Sequence, residues 1–284
     1  MQSFGHGPRT VGMMPSTNSS RRLVGAIERH GRWGATIRSR WRSGRGRAGL
    51  ERAFDRALGS IWMAYQPIVS LSDRRTFGHE ALLRSNEPAL PHPGAILDAA
   101  ELLGRVHAIG RVVRDRVAEI VSQSSGDCVF FVNLHAHDLL DESLVSSASP
   151  LSRVASRVVL EITERASLDG LGDVRERTKA LRDLGFRLAV DDLGAGYAGL
   201  TSFASIEPEV VKIDTSLVRG IDTNPVKRTI VDKLTALAHE LHILVVAEGI
   251  ESTGERDALA SLGCDLLQGY LFARPGEPFP SVTW

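Results

Sequence analysis

From Ile61 onward the chain alternates between short apolar runs and longer stretches with helical patterns. The apolar runs are rich in Val, Ile and Phe and predict strands over 61–69, 76–83, 128–134, 157–162, 186–191, 209–213 and 243–247, with a weaker one over 265–267. The helical patterns predict helices over 51–60, 95–122, 172–184, 223–241 and 252–262. Strands that are apolar on both faces and alternate with helices indicate a mainly parallel sheet covered by helices.

The number of strands and the length of chain that carries them favour a closed barrel over an open sheet. The first two runs are joined by SLSDRR, which is short enough for a hairpin. Because parallel neighbours need a longer crossover, one strand of this pair must run against the others. We therefore predict an α/β fold, a modified TIM (β/α)8 barrel with one antiparallel strand near its start.

Charge is distributed unevenly along the chain, although 34 basic and 34 acidic residues give a formal net charge of zero. The first fifty residues contain ten Arg and one acid, Glu28, for a net charge of +9, so the remainder carries −9. Residues 1–49 are also rich in Gly and Ser, and we expect a basic tail that is disordered or partly helical. The folded domain is predicted over 50–284.

Residues 21–47 of this tail carry a weak amphipathic pattern, with apolar residues on one face and Arg on the others. Such a segment can make a weak contact with an anionic membrane or another polyanion. Gly25, Gly31 and Gly34 interrupt the helical pattern and favour a solvated tail instead. Both interpretations stay open.

Composition excludes several classes of protein. Hydrophobic residues make up 43% and charged residues 24% of the chain, which is typical of a folded globular protein. No apolar run reaches the roughly 20 residues needed to span a bilayer, and two Cys cannot form the disulfide framework of a small secreted protein. We expect a cytoplasmic protein with no specific nucleic-acid partner. It would lie at the inner membrane surface if residues 21–47 bind lipid.

Polar side chains stand at or just past the ends of the predicted strands. They are Glu80, Asn133, Glu161, Asp191 with Asp192, Lys212, Glu248 and Gln268. In an α/β barrel the carboxyl ends of the strands form the mouth where active sites lie. If the fold is a barrel, these side chains therefore converge on one site.

The composition of this set points to metal-assisted chemistry on phosphate. Five carboxylates in one cleft repel one another unless cations neutralise them, and oxygen ligands without His or Cys suit Mg²⁺ or Mn²⁺. The adjacent acids Asp191 and Asp192 suit two metals about 3.5–4 Å apart, an arrangement that activates water for attack on phosphorus. Lys212 could hold the attacking water or offset developing negative charge. The residues alone predict a metal-dependent phosphoryl-group hydrolase.

The same positions carry a series of motifs in a fixed order. They are YQPIV from Tyr65, GHEALLR around Glu80, FVNL at Asn133, LEITE at Glu161, DDLGAGYAGL from Asp191, VKID at Lys212, VVAEGIE at Glu248 and LLQGYLFARP at Gln268. Together, from Tyr65 to about Pro275, they resemble the EAL-domain family of cyclic di-GMP phosphodiesterases. The resemblance implies hydrolysis of one phosphodiester bond of this bacterial second messenger, which gives linear pGpG and lowers the signal.

The resemblance also implies roles for individual residues. One divalent cation, Mg²⁺ or Mn²⁺, would bind Glu80, Asn133, Glu161 and Asp191. A second would bind Asp191, Asp192 and Glu248. The implied catalytic residues are Glu80, Lys212 and Glu248, with Lys212 on the attacking water. The implied substrate contacts are Gln66, Arg84 and Gln268. Glu164 would brace the loop after Asp192, next to the interface of a homodimer formed through the barrel.

Departures from the family pattern leave a second function open. The loop that usually reads close to DDFGTGYSS is DDLGAGYAGL here, with Leu193, Ala195 and Gly199 among the changed positions. Ala195 lacks a hydroxyl that could anchor the loop, and Gly199 adds flexibility. The alternative is a catalytically weak or silent cyclic di-GMP receptor that acts through a protein partner. The complete set of ligands favours the enzyme.

Overall fold

The computed structural model describes residues 44–163, 173–194 and 199–284. Within these residues eight strands close into a barrel, and each strand pairs with its neighbours in chain order. The strands are β1 (Ile61–Ser70), β2 (Arg75–Ser85), β3 (Val129–Asn133), β4 (Val158–Thr163), β5 (Arg187–Leu193), β6 (Val210–Ile213), β7 (Leu244–Ala247) and β8 (Leu266–Gln268). The prediction of a closed barrel is confirmed.

The first strand, β1, runs against the other seven. It pairs antiparallel with β2 on one side and with β8 on the other, whereas the remaining neighbouring pairs are parallel. The turn over 71–74 is too short for a crossover helix, so β2 can follow β1 only as a hairpin partner. The predicted antiparallel strand near the start is therefore confirmed.

Helices cover the outside of the barrel. They are α1 (Gly44–Gly59), α2 (Pro93–Leu103), α3 (Val106–Gln123), α4 (Val174–Asp183), α5 (Gly199–Ile206), α6 (Thr215–Val218), α7 (Pro225–Glu240) and α8 (Thr253–Ser261). Helix α1 begins at Gly44, within the stretch predicted as tail. The division of the chain at residue 50 stays a prediction, and residues 1–43 lie outside the described part.

The helical pattern over 95–122 forms two helices in the structure, α2 and α3. Gly104 follows α2 in the left-handed conformation, with φ of 67°, and its N–H bonds to the carbonyl oxygens of Ala100 and Glu101. Glycine suits this cap because it has no Cβ to clash in that conformation. The chain restarts as α3 two residues later.

An apolar plug fills the barrel interior below the mouth. It consists of Ile68, Val129, Phe131, Val159, Ala189, Val210, Val246 and Leu266. Side chains two positions apart on a strand point to the same side, so the next inward residue on each strand lies one level higher. On β4 this residue is Glu161, and on β5 and β6 it is Asp191 and Lys212. The polar layer at the mouth therefore lies directly above the buried apolar plug.

The β1–β2 hairpin has no crossover helix between its strands, and the C-terminal segment packs against its outer face. Phe279, from the C-terminal segment, lies 6.1 Å from Tyr65, 5.0 Å from His79 and 6.0 Å from Phe130, measured between ring centroids. The C-terminal segment thus completes the wall behind the strand that carries Glu80. Within the part of the chain that the structure describes, no helix has the length and apolarity needed to span a bilayer.

Candidate active site

The polar residues predicted at the strand ends form one ring at the mouth of the barrel. This mouth ring consists of Glu80, Asn133, Glu161, Asp191, Asp192, Lys212, Glu248 and Gln268. The buried Lys212 lies at its centre, with Nζ 2.6 Å from Glu161 Oε1 and 2.5 Å from Glu248 Oε1. The same atom lies 3.3 Å from Asp191 Oδ1 and 3.4 Å from Glu80 Oε2. One ammonium therefore contacts carboxylates from four strand ends.

Two amide side chains orient the carboxylate of Glu80. Asn133 Nδ2 donates to Glu80 Oε1 at 2.9 Å and to Glu161 Oε2 at 3.2 Å. Gln268 Nε2 donates to Glu80 Oε2 at 2.7 Å and to Gln66 Oε1 at 3.1 Å. Gln66 is fixed in turn, because its Nε2 donates to the carbonyl oxygen of Ala273 at 3.1 Å. Gln66 and Gln268, both predicted as substrate contacts, thus lie beside the carboxylates.

The adjacent acids Asp191 and Asp192 both reach the mouth because the end of β5 is irregular. Neighbouring residues of a regular strand point to opposite faces. Here the pairing of β5 with β6 shifts between Val190 and Leu193, and Asp192 has a positive φ of 59°. Asp tolerates this conformation better than most residues. Carboxylate oxygens of Asp191, Asp192 and Glu248 consequently lie within 4.8 Å of one another.

The chemistry of the ring fits divalent cations. Four carboxylates share the single ammonium of Lys212, and two of the oxygens that face it, Glu161 Oε1 and Asp191 Oδ1, are buried. Gln268 Oε1 is also buried, and no donor among the described residues lies within hydrogen-bonding distance and angle of it. Buried acceptors without a donor are costly unless a cation satisfies them. Carboxylate and amide oxygens are the ligands that Mg²⁺, Mn²⁺ and Ca²⁺ prefer.

Burial and repulsion between neighbouring carboxylates shift the pKa values of the titratable residues in the ring. Burial raises the pKa of Glu161 and Glu248 well above the ordinary range, and nearby carboxylates add to this while Lys212 opposes it. Burial also raises the pKa of Asp191. Burial works against the charge of Glu80, but Lys212, Gln268 and Asn133 hold its pKa below the usual value. Burial likewise opposes the charge of Lys212, yet the surrounding carboxylates hold its pKa well above the usual range.

We expect Mn²⁺ to raise the melting temperature more at high pH than at low pH. At low pH the raised pKa values of Glu161 and Glu248 keep both groups protonated, so a cation must displace protons to bind. As the pH rises through those values, repulsion destabilises the metal-free ring and the cation binds more tightly. Thermal melts in Mn²⁺ and in EDTA across a pH series measure the difference. A difference that shrinks as the pH rises would contradict this expectation.

Arg84 lies away from the ring, at the outer end of β2. Its Nη1 donates to the carbonyl oxygen of Leu83 at 2.8 Å. It lines a cleft of about 950 Å³ that runs from Glu80 and Asn133 past Arg84 to helices α2 and α3, where His107 lies. A cleft of this size accommodates a ligand as large as a dinucleotide. The structure thus places Arg84 beside the ring and not within it.

Glu164, predicted to brace the loop after Asp192, lies outside the described residues, as do residues 195–198 of that loop. The structure adds a bracing residue that the sequence prediction missed. The buried carboxylate of Glu255 accepts from the N–H groups of Gly220 at 2.9 Å, Glu251 at 2.9 Å and Ser252 at 3.2 Å. It therefore fixes the loop that follows Glu248. The capping box formed by Ser252 and Glu255 was the available sequence signal.

Comparison with known proteins gives one consistent match. The model of the EAL domain family matches residues 47–275. The chain is 30% identical over 223 residues to the signaling protein YkoW of Bacillus subtilis, covering 75% of this chain and 28% of that protein. It is 32% identical over 231 residues to the cyclic di-GMP phosphodiesterase RocR of Pseudomonas aeruginosa, covering 76% of this chain and 58% of that protein. The chain thus spans less than two thirds of the length of these relatives.

Two solved structures show the same architecture. The calcium and cyclic di-GMP complex of BlrP1 from Klebsiella pneumoniae matches with a TM-score of 0.72 and 30% identity, over 81% of this chain and 59% of that one. The cyclic di-GMP complex of the phosphodiesterase PaMucR matches with a TM-score of 0.71 and 29% identity, over 81% of this chain and 98% of that one. A further BlrP1 structure contains manganese with cyclic di-GMP.

Proposed function

The chain belongs to the EAL domain family, and we propose that it is a metal-dependent phosphodiesterase that hydrolyses cyclic di-GMP to linear pGpG. The observation that carries the proposal is the mouth ring, in which carboxylates from four strand ends surround the single ammonium of Lys212. The names of the relatives RocR and PaMucR support the reaction and the ligand. Hydrolysis would lower the concentration of this second messenger.

Two divalent cations, Mg²⁺ or Mn²⁺, fit the ring in the proposed enzyme. One would be held by Glu80, Asn133, Glu161 and Asp191. The other would be held by Asp191, Asp192 and Glu248. When bound, such cations offset the negative charge of a phosphodiester and make water a better nucleophile. The carboxylate and amide oxygens of the ring support this assignment, because three of the carboxylates, those of Asp191, Asp192 and Glu248, have oxygens within 4.8 Å of one another and Lys212 supplies only one opposing charge.

The residues of the chain have distinct tasks in the proposed reaction. Lys212 stays charged because of its raised pKa, and it can donate to the attacking water and stabilise negative charge that develops on the phosphate oxygens. Glu80 and Glu248 each face this ammonium and keep it in position. Gln66 and Gln268 form a hydrogen-bonded pair at the edge of the ring, suited to orient the substrate. Arg84 can make bidentate contacts to a phosphate in the cleft.

An experiment with two readouts separates the enzyme from a silent receptor. Calorimetry measures binding of cyclic di-GMP in Ca²⁺, and chromatography measures pGpG formed in Mn²⁺ or Mg²⁺, with Glu80→Ala as the control. The proposal predicts binding together with turnover that the variant lacks. Binding with no turnover above the Glu80→Ala control would favour a receptor, for which the changed DDLGAGYAGL loop is the motivating observation.

The proposed oligomer is a homodimer, and an apolar stripe on α7 supports it. Val226, Ile230 and Leu237 on α7, together with Leu241 just past its end, recur at helical spacing and are 65%, 41%, 37% and 54% exposed. Packing of this stripe on the same stripe of a second copy would remove it from solvent.

We expect Ile230→Asp to shift the protein from dimer to monomer in sedimentation velocity. A charge in the centre of the stripe is costly to bury, so it opposes pairing of the two copies. Leu140→Asp, at an exposed position outside α7, is the matched control and should leave the sedimentation coefficient unchanged. A wild-type protein that sediments as a monomer would refute the proposed dimer.

A cytoplasmic location and a weak contact of residues 21–47 with anionic lipid remain part of the proposal. The uneven charge supports the contact, because ten Arg and one acid fall in the first fifty residues. Co-sedimentation with anionic liposomes tests it, using the full chain against a chain that starts at Leu50. Equal pelleting of the two at low salt would refute the contact.

A further inference from the structure

The exposed indole of Trp62 stands out in a buried strand. In β1, which the structure describes in full, Trp62 is the only exposed residue, at 40% exposure. The neighbouring Ile61 and Met63 are buried. A large aromatic ring left open to solvent on a rigid strand often marks a binding surface, because the ring can pack against a ligand without first losing conformational freedom.

Strand geometry places Trp62 on the same face as the active site. Gln66 points to the mouth ring, and residues at intervals of two share a face, so Trp62 points to that side as well. The hairpin register pairs Gln66 with Glu80 and Trp62 with Arg84. Residues directly opposite in an antiparallel pair project to the same face. Trp62 and Arg84 therefore stand together, four residues outward from Gln66 and Glu80.

The spacing and chemistry of this pair suit one part of a nucleotide. Four residues of strand span about 13 Å, which separates the indole from the ring where a phosphodiester would react. Arg84 lines the cleft that leads outward from Glu80. A planar indole next to a guanidinium can stack on a base while the cation contacts a phosphate.

We propose that Trp62 is a substrate-contacting residue that stacks on a guanine base of the bound dinucleotide. The inference rests on the proposed function, since it names how that substrate is held. Trp62 then contributes to the affinity for the substrate, whereas the residues of the mouth ring carry out the chemical step. Substitution of Trp62 should therefore change Kd and KM, whereas kcat depends on the mouth ring.

Substitution at Trp62 tests the inference on the full chain. Trp62→Ala is expected to weaken binding of cyclic di-GMP in Ca²⁺, and to raise KM in Mn²⁺, by about 5- to 150-fold while kcat stays close to wild type. Trp62→Phe should recover most of the affinity because it keeps an aromatic face. Trp284→Ala is the matched control, since Trp284 is 41% exposed but packs on Phe272. Binding by Trp62→Ala at the wild-type level overturns the inference and leaves the proposed function standing.

Fluorescence provides a second readout that does not depend on the alanine variant folding. The chain has four Trp, and stacking of a purine on Trp62 should quench part of their emission. Titration of the wild type with cyclic di-GMP should show this quench, and Trp62→Phe should lose it while calorimetry still records binding. An undiminished quench in Trp62→Phe contradicts the inference. A wild type that neither binds nor hydrolyses the dinucleotide overturns the proposed function together with the inference.

Discussion

Replacing Asp191 with Asn should lower kcat/KM for cyclic di-GMP by about 10²–10³-fold. In the proposed enzyme Asp191 would belong to both groups of metal ligands. Its Oδ1 lies 3.3 Å from the Lys212 ammonium, and its carboxylate lies within 4.8 Å of oxygens from Asp192 and Glu248. Asn keeps the size of the side chain but removes the charge that would bridge two cations. Initial rates of pGpG formation at saturating Mn²⁺ measure the loss.

Asp214→Asn provides the matched control for this change. Asp214 follows β6 and caps α6 by accepting from the N–H of Ser216, and Asn is an equally good cap. The control should therefore keep both wild-type activity and wild-type stability. Calorimetric titration of Mn²⁺ should show weaker binding in Asp191→Asn alone. Wild-type turnover by Asp191→Asn would rule out a bridging role for Asp191.

Replacing Lys212 with Met should abolish turnover to a similar extent, about 10²–10³-fold, yet leave Mn²⁺ binding at least as tight as in the wild type. The Lys212 ammonium lies among the same carboxylates that would bind the cations. In the proposed enzyme it would therefore repel the cations and compete with them for ligands. Met retains the length of the side chain without its charge. Mn²⁺ titrations of both proteins, alongside product assays, separate the loss of chemistry from any loss of metal.

The same substitution should destabilise the metal-free protein by about 3–5 kcal/mol, because removal of one member of a buried charge network leaves the others uncompensated. The effect should grow with pH, as Glu161 and Glu248 lose the protons that their raised pKa values retain. Mn²⁺ should restore the melting temperature. Loss of Mn²⁺ binding in Lys212→Met would show that Lys212 organises the ring and does not compete for it.

The sequence was sufficient to predict the barrel and most of the ring, for a geometric reason. Strand ends in a parallel barrel meet at one mouth, so a polar residue at the end of an apolar run is located by the fold itself. Glu161 and Lys212 illustrate this, because each comes two residues after a plug residue on the same strand and is the next side chain that points into the barrel. The hairpin at the start of the barrel could also be predicted from the sequence, since the connection between its strands is too short for a crossover.

Other features depend on long-range packing or on local backbone choices that a periodic pattern does not carry. The break at Gly104 arises from a left-handed cap inside an otherwise helical pattern. The projection of Asp192 into the mouth depends on a positive φ and a shift in strand register. Glu255 accepts hydrogen bonds from three backbone N–H groups. The capping-box motif in the sequence predicts only the bond that lies within the box. The exposure of Trp62 likewise emerges only when β1 is placed in the barrel.

Metal-dependent hydrolysis of cyclic di-GMP at the mouth ring is tested by the rate of pGpG formation in protein stripped with EDTA and then titrated with Mn²⁺. The stripped protein should form no pGpG, activity should appear as Mn²⁺ is added, and Glu80→Ala should remain inactive at every Mn²⁺ concentration. Hydrolysis at the full rate in excess EDTA, or equal rates for wild type and Glu80→Ala, would contradict it.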